Sequence, residues 1–171
     1  MKLRPLKIED APLMLEWMHD PDVVKYMRID FASKTIEDCE AFIQNSNENA
    51  LHFAIVDDAD QYMGTVSLKN INKESAEFGI TIRSCAMGKG FSKYAIEEML
   101  SRGFNTGLEY IYWSVNPKNL RAIRFYDKNG YKRVSIQVIM ENIANTKTES
   151  LVGYSKNEIY QYLWYRKAKN D

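Results

Sequence analysis

Two short stretches of this 171-residue chain carry residue types at spacings suited to chemistry. In the first, Ile80-Thr81-Ile82-Arg83-Ser84-Cys85-Ala86-Met87-Gly88-Lys89-Gly90-Phe91-Ser92, a β-branched run enters a glycine-containing loop that opens directly onto a helical pattern. Glycines let backbone N–H groups approach an anion closely, a helix N-terminus adds a favourable dipole, and Lys89 adds positive charge. The ligand expected of such a loop is a phosphate or pyrophosphate; the alternative is a purely structural turn. The Walker pattern is excluded, because it needs Gly-Lys-Ser/Thr and here Gly90 follows Lys89. The dinucleotide pattern is excluded too, because Lys93 stands at its third glycine position. In the second stretch, Asn119 and Tyr126 lie two turns apart on one helix face at ~3.6 residues per turn. Asn119 can bond a ligand near the helix start and Tyr126 can present its hydroxyl, although a capping Asn and a packed Tyr would look the same.

The elements that must position these residues follow from pattern and punctuation. Leu3–Ile8 reads as a short strand, confined to an edge or strand end by Pro5. Asp10-Ala11-Pro12 starts a helix that ends at Asp20-Pro21-Asp22, with a short helical turn through Val23–Met27. Thr35-Ile36-Glu37-Asp38 opens a second helix to about Asn45. Leu51–Val56, Tyr62–Leu68 and Ala76–Ile82 form a three-strand meander with polar turns. Gly90 to about Asn105 is an amphipathic helix and Glu109–Val115 a strand. Leu120–Lys128 is a helix closed by Asn129-Gly130 as a left-handed C-cap. Tyr131–Met140 then reads as a strand, 141–157 as an irregular polar connection, and Glu158–Arg166 as a final strand.

Composition narrows the class. Apolar residues make up 45% of the chain, enough for a buried core in one domain spanning 1–171. Basic and acidic residues balance at 23 each, so no global charge draws the protein to nucleic acid or an anionic membrane. No apolar run approaches bilayer length, and no signal peptide is expected. Cys39 and Cys85 are too few for a disulfide scaffold, which points to a reducing, cytoplasmic setting. Locally the charge is uneven: residues 9–40 hold nine acids against Lys25, Arg28 and Lys34. That segment is either an acidic flank for a cationic substrate or a set of solvated helix faces.

Together the two stretches resemble the GNAT superfamily of N-acetyltransferases. The family's cofactor motif, Gln/Arg-x-x-Gly-x-Gly/Ala, is matched in part by Met87-Gly88-Lys89-Gly90-Phe91-Ser92, with Met87 at the polar position and Ser92 at the small one. Its later motif is met by Asn119, Ala122, Tyr126, Lys128, Gly130 and Tyr131. Leu3-Arg4-Pro5-Leu6, Tyr62-Met63-Gly64-Thr65-Val66 and Ala76-Glu77-Phe78-Gly79-Ile80 are similar to the ribosomal-protein and polyamine acetyltransferase branch.

The resemblance implies an α+β fold, a mixed and mostly antiparallel sheet with a splayed strand pair, flanked by helices. It implies acetyl-CoA as co-substrate and no metal. The pantetheine arm would pair with the backbone of Ile80, Thr81 and Ile82, and the pyrophosphate would sit on Met87, Gly88, Lys89, Gly90, Phe91 and Ser92, with Asn119 and Tyr126 alongside. Tyr126 would be the general acid and Glu77 the general base, an outward carboxylate being the alternative for Glu77. The acceptor is a small-molecule amine, such as a polyamine or amino sugar, or a protein N-terminus. A non-catalytic acyl-CoA-binding module of the same fold is the other reading.

Weaker candidates remain. Cys85 lies beside the loop without a histidine near in sequence, and His19 and His52 lack metal-ligand spacing. Trp17, Met18, Tyr26 and Met27 suit either an acceptor wall or core. Lys118, Arg121 and Arg124 suit either the 3′-phosphate of CoA or a solvated face. An aromatic terminal strand at a sheet edge would also allow a homodimer.

Overall fold

The computed structural model describes residues 1–45, 50–144 and 153–171. In chain order its elements are β1 (Lys2–Pro5), α1 (Ala11–Met18), α2 (Pro21–Val24), α3 (Ile36–Gln44), β2 (Leu51–Val56), β3 (Tyr62–Lys69) and β4 (Ser75–Ile82). They continue with α4 (Phe91–Asn105), β5 (Tyr110–Val115), α5 (Leu120–Lys128), β6 (Lys132–Val134), α6 (Ile136–Ala144), α7 (Lys156–Gln161) and β7 (Leu163–Ala168). The strands form a seven-stranded sheet in the order β1-β2-β3-β4-β5-β7-β6. Pairing is mostly antiparallel, and β4 with β5 is parallel. This is the mixed α+β architecture expected from the sequence. The chain divides into two compact units, Met1–Lys69 with Gly79–Arg102 and Asn70–Phe78 with Gly103–Asp171.

In the first unit, Met14, Trp17 and Met18 of α1 pack with Cys39, Ala54, Val56 and Tyr62. Trp17 and Met18 are therefore core rather than acceptor wall. Trp17 Nε1 donates to the Tyr62 hydroxyl at 2.9 Å, which lies 2.6 Å from Thr65 Oγ1, so the polar ends of two buried aromatics are satisfied inside the core. The α3 start is the expected capping box: Thr35 Oγ1 accepts from Asp38 N, and Asp38 accepts from Thr35 N. Such a cap contributes about 1 kcal/mol. Part of the acidic segment is engaged: Asp10 pairs with Arg4, Glu16 with Arg83, Asp22 with Lys25, and Asp20 caps α2. Part of its excess charge is thus structural.

In the second unit, β5 is the organising strand. On one side it pairs along its full length with β7, from Tyr110↔Ala168 to Val115↔Leu163. On the other, its parallel ladder with β4 has three pairs, Ser75↔Tyr110, Ala76↔Ile111 and Glu77↔Tyr112. Side chains alternate across the sheet. Tyr112 and Trp164 face Ile136, Ile139, Ile143 and Ile159 of α6 and α7, whereas Trp113 and Tyr165 stack and meet Tyr126 of α5.

Two expectations are corrected here. Residues 136–140 belong to α6, not to a long strand, because Ile136, Ile139 and Ile143 recur at helical spacing and bury one stripe. Residues 156–161 form α7, opened by a Ser155–Glu158 capping box, and the terminal strand begins only at Leu163. The expected irregular connection over 141–157 is helical at both ends, and 145–152 lie outside the described residues. Moreover β7 lies between β5 and β6 and is not an edge, so the edge-strand argument for a homodimer falls away.

Candidate active site

The loop between β4 and α4 folds as the sequence suggests. Gly88 and Gly90 have φ of +76° and +88°, conformations that L side chains rarely adopt, and both are exposed. A Cβ on Gly88 would meet nothing within 4 Å, so backbone conformation, not crowding, calls for glycine there. The first hydrogen bond of α4 runs from Tyr94 N to Gly90 O at 3.1 Å. The amides of Phe91, Ser92 and Lys93 therefore precede the helical ladder and stand where an anion can accept from them. Lys89 is exposed in the same turn. Met87 packs against the core of the first unit, which gives a physical reason for an apolar residue at that position: it anchors the loop.

Arg83 fixes where this loop begins, a role the sequence reading missed. Its guanidinium is buried and reaches Glu16 through Nε and Nη2 at 3.0 Å each, while Nη1 donates to Tyr62 O at 2.9 Å. Its backbone N–H donates to Met63 O. A lone arginine between two strands and a loop gives no sequence signal of its glutamate partner far upstream in the chain.

Ile80 and Thr81 of β4 are half-buried, Ile82 is buried, and all three lead straight into Arg83. Cys85 is exposed and Cys39 buried. His52 Nδ1 lies 2.7 Å from Ser67 Oγ, and burial pushes this imidazole below its usual range. Among the described residues no group of three His, Cys, Asp or Glu side chains is placed to hold a metal ion, and no helix is long and apolar enough to cross a membrane.

In the second unit, Asn119 and Tyr126 share α5. Asn119 Oδ1 accepts from Ala122 N at 3.1 Å, so its side-chain carbonyl is taken by the helix cap. Tyr126 is 6% exposed, with its ring 5.3 Å from Trp113, 5.1 Å from Tyr165 and 6.0 Å from Tyr131. Burial pushes its phenol well above the usual range, and neighbouring tyrosines add to this. Tyr126 is thus held neutral at any ordinary pH.

Glu77 is not an outward carboxylate. It is 4% exposed, and its two oxygens accept from separate neutral donors: Oε1 from the Tyr154 hydroxyl at 2.9 Å and Oε2 from Asn70 Nδ2 at 2.8 Å. Tyr154 also lies 2.6 Å from Ser114 Oγ. Glu77 belongs to the face with Tyr112 and Trp164, opposite the one holding Tyr126. The second unit therefore places a carboxylate and a phenol on opposite faces of the sheet, where the β4–β5 ladder stops. Asn70, Ser114 and Tyr154 had no distinguishing signal in the sequence, because their pairing depends on which connections cross the face.

Fold and site together describe an acyl-transfer enzyme of the acetyltransferase type. The family model described as the acetyltransferase (GNAT) domain matches residues 1–132, and the chain belongs to this family, an N-acetyltransferase as the sequence implied. A curated relative, the "Uncharacterized N-acetyltransferase p20" of Bacillus licheniformis, is 28% identical over 142 residues, covering 78% of this chain and 79% of its own. Among solved structures, a spermidine N-acetyltransferase from Vibrio cholerae, in complex with CoA and spermine, superposes with a TM-score of 0.76 at 21% identity. That match covers 99% of this chain and 95% of the other. The microcin C7 self-immunity acetyltransferase MccE, in complex with acetyl-CoA and AMP, has a TM-score of 0.72 at 20% identity, covering 97% and 91%. At these identities the superpositions establish the fold.

Proposed function

We propose that the protein transfers the acetyl group of acetyl-CoA to a primary amine of a small molecule or a protein N-terminus, by direct attack. The observation that carries this reading is the placement of a buried, neutral phenol and a hydrogen-bonded carboxylate on opposite faces at the end of one parallel ladder. When bound, acetyl-CoA supplies an activated acyl group as a thioester. The loop Gly88–Ser92, through the amides that open α4, and the charge of Lys89 bind the diphosphate, a role that the two positive-φ glycines and the helix start fit. Backbone groups of Ile80, Thr81 and Ile82 hold the pantetheine arm, and an N–H near Thr81 polarises the thioester carbonyl. Met87 anchors the loop and Asn119 caps α5.

A free alkylammonium has a pKa of ~10 and cannot attack until it loses a proton. Glu77 accepts that proton, directly or through a water, and Tyr126 donates one to the departing sulfur. A carboxylate and a phenol at the end of one ladder would serve the two proton transfers that addition of the amine to the carbonyl and loss of the thiolate require. We also take the whole chain, 1–171, as one acetyltransferase domain.

The test is release of CoA thiol from acetyl-CoA in the presence of spermidine, glucosamine and a short peptide with a free N-terminus. Acetyl-CoA-dependent release with at least one of them is expected. Saturable acetyl-CoA binding with no release for any amine would instead identify an acyl-CoA-binding module.

A further inference from the structure

Tyr154 precedes α7 and appears in no motif of the sequence, yet its hydroxyl reaches the Glu77 carboxylate. We propose that Tyr154 is a positioning residue for Glu77, oriented in turn by Ser114; this rests on the assignment of Glu77 as general base.

The proton inventory fixes the direction of the chain. A phenol has one proton. Tyr154 gives it to Glu77 Oε1 at 2.9 Å, so in the 2.6 Å contact with Ser114 the serine hydroxyl is the donor. The order is Ser114 O–H to Tyr154 O–H to Glu77 Oε1, while Asn70 Nδ2 secures Oε2 from the other side. Donation from serine polarises the phenol and strengthens its own donation to the carboxylate. A donor on each oxygen holds the carboxylate plane against rotation.

The Tyr154 ring is held independently of this hydroxyl. It lies 5.2 Å from Trp164 and 6.2 Å from Tyr162. A Tyr154→Phe protein therefore keeps the packing and loses the hydroxyl's hydrogen bonds to Glu77 and Ser114. Among the described residues, the titratable groups that interact with Glu77 include Tyr112 of β5, whose phenol is pushed up by burial and then by the Glu77 charge, and Tyr154 itself.

Hydrogen bonds to an ionised carboxylate favour it over the protonated acid. The test is titration of the Glu77 side-chain carboxyl by 13C NMR in the full chain, with the resonance assigned by its absence in Glu77→Gln. In Tyr154→Phe the midpoint is expected to rise by about one pH unit, a tenfold change in proton affinity. In Ser114→Ala it rises by less, in the same direction. An unchanged midpoint in a folded Tyr154→Phe protein overturns the positioning role while leaving Glu77 as base. The acidic limb of kcat/KM, measured with the best amine of the three-amine panel, should move with the midpoint. A moved midpoint with an unmoved limb overturns the assignment of Glu77 as base, and this role with it. A higher kcat/KM in Tyr154→Phe also overturns it, by showing that the phenol occupies the acceptor's place. If Tyr154→Phe does not fold, the Ser114→Ala midpoint decides alone.

Discussion

On one face of β5 the Tyr126 phenol sits among Trp113, Tyr131 and Tyr165, where the buried Trp113 Nε1 has no acceptor among the described residues. On the other face, one residue along the strand in each direction, Tyr112 and Ser114 border a carboxylate that accepts two hydrogen bonds. A single strand thus borders two different environments. The aromatic face buries a phenol and raises its pKa, whereas the polar face gives a buried carboxylate two hydrogen-bond donors.

The comparison breaks most directly at the phenol. Tyr126→Phe is expected to lower kcat by about a hundredfold to ten-thousandfold, with acetyl-CoA affinity by calorimetry nearly unchanged. Retained turnover would remove the aromatic face from the chemistry. Next comes Glu77→Gln, expected to lower kcat/KM for the amine by about a hundredfold and flatten the acidic limb of the pH profile. A profile superimposable on the native one would leave the polar face structural. The loop should respond differently from either face. Gly90→Ala places a Cβ at φ +88°, a cost of about 1–2 kcal/mol, and acetyl-CoA affinity should fall about tenfold while kcat at saturation holds.

The smallest effect concerns stability at high pH. The folded Tyr126 phenol is raised above its unfolded value of about 10. Above that pH the unfolded chain releases this proton and the folded chain retains it, so stability falls as pH rises. Denaturant melts should show a decline beginning near pH 10 that is shallower in Tyr126→Phe.

Much of this arrangement was legible in the chain. α5 runs from Leu120 to Lys128 as expected because its ends carry their own punctuation, Asn119 as cap and Gly130 at φ +77°. The hairpin of β2 and β3 was marked by alternation and by its acidic turn. The last forty or so residues were harder. Tyr160, Tyr162 and Trp164 alternate like a strand, and that pattern hid the Ser155–Glu158 cap that starts α7. For Glu77, alternation gave a face but not what covers it. What meets that side chain is Asn70 and, from a distant part of the chain, Tyr154, a tertiary fact without local trace.

The position of β7 has a consequence for how the protein is made. Synthesis proceeds from the N-terminus, so β4, β5 and α5 leave the ribosome well before the strand that pairs with β5 along its whole length. Until that late segment arrives, β5 has an open flank and Tyr165 is missing from the rings around Tyr126. The second unit therefore stays unfinished, and exposed to mispairing, until Leu163–Ala168 has been translated.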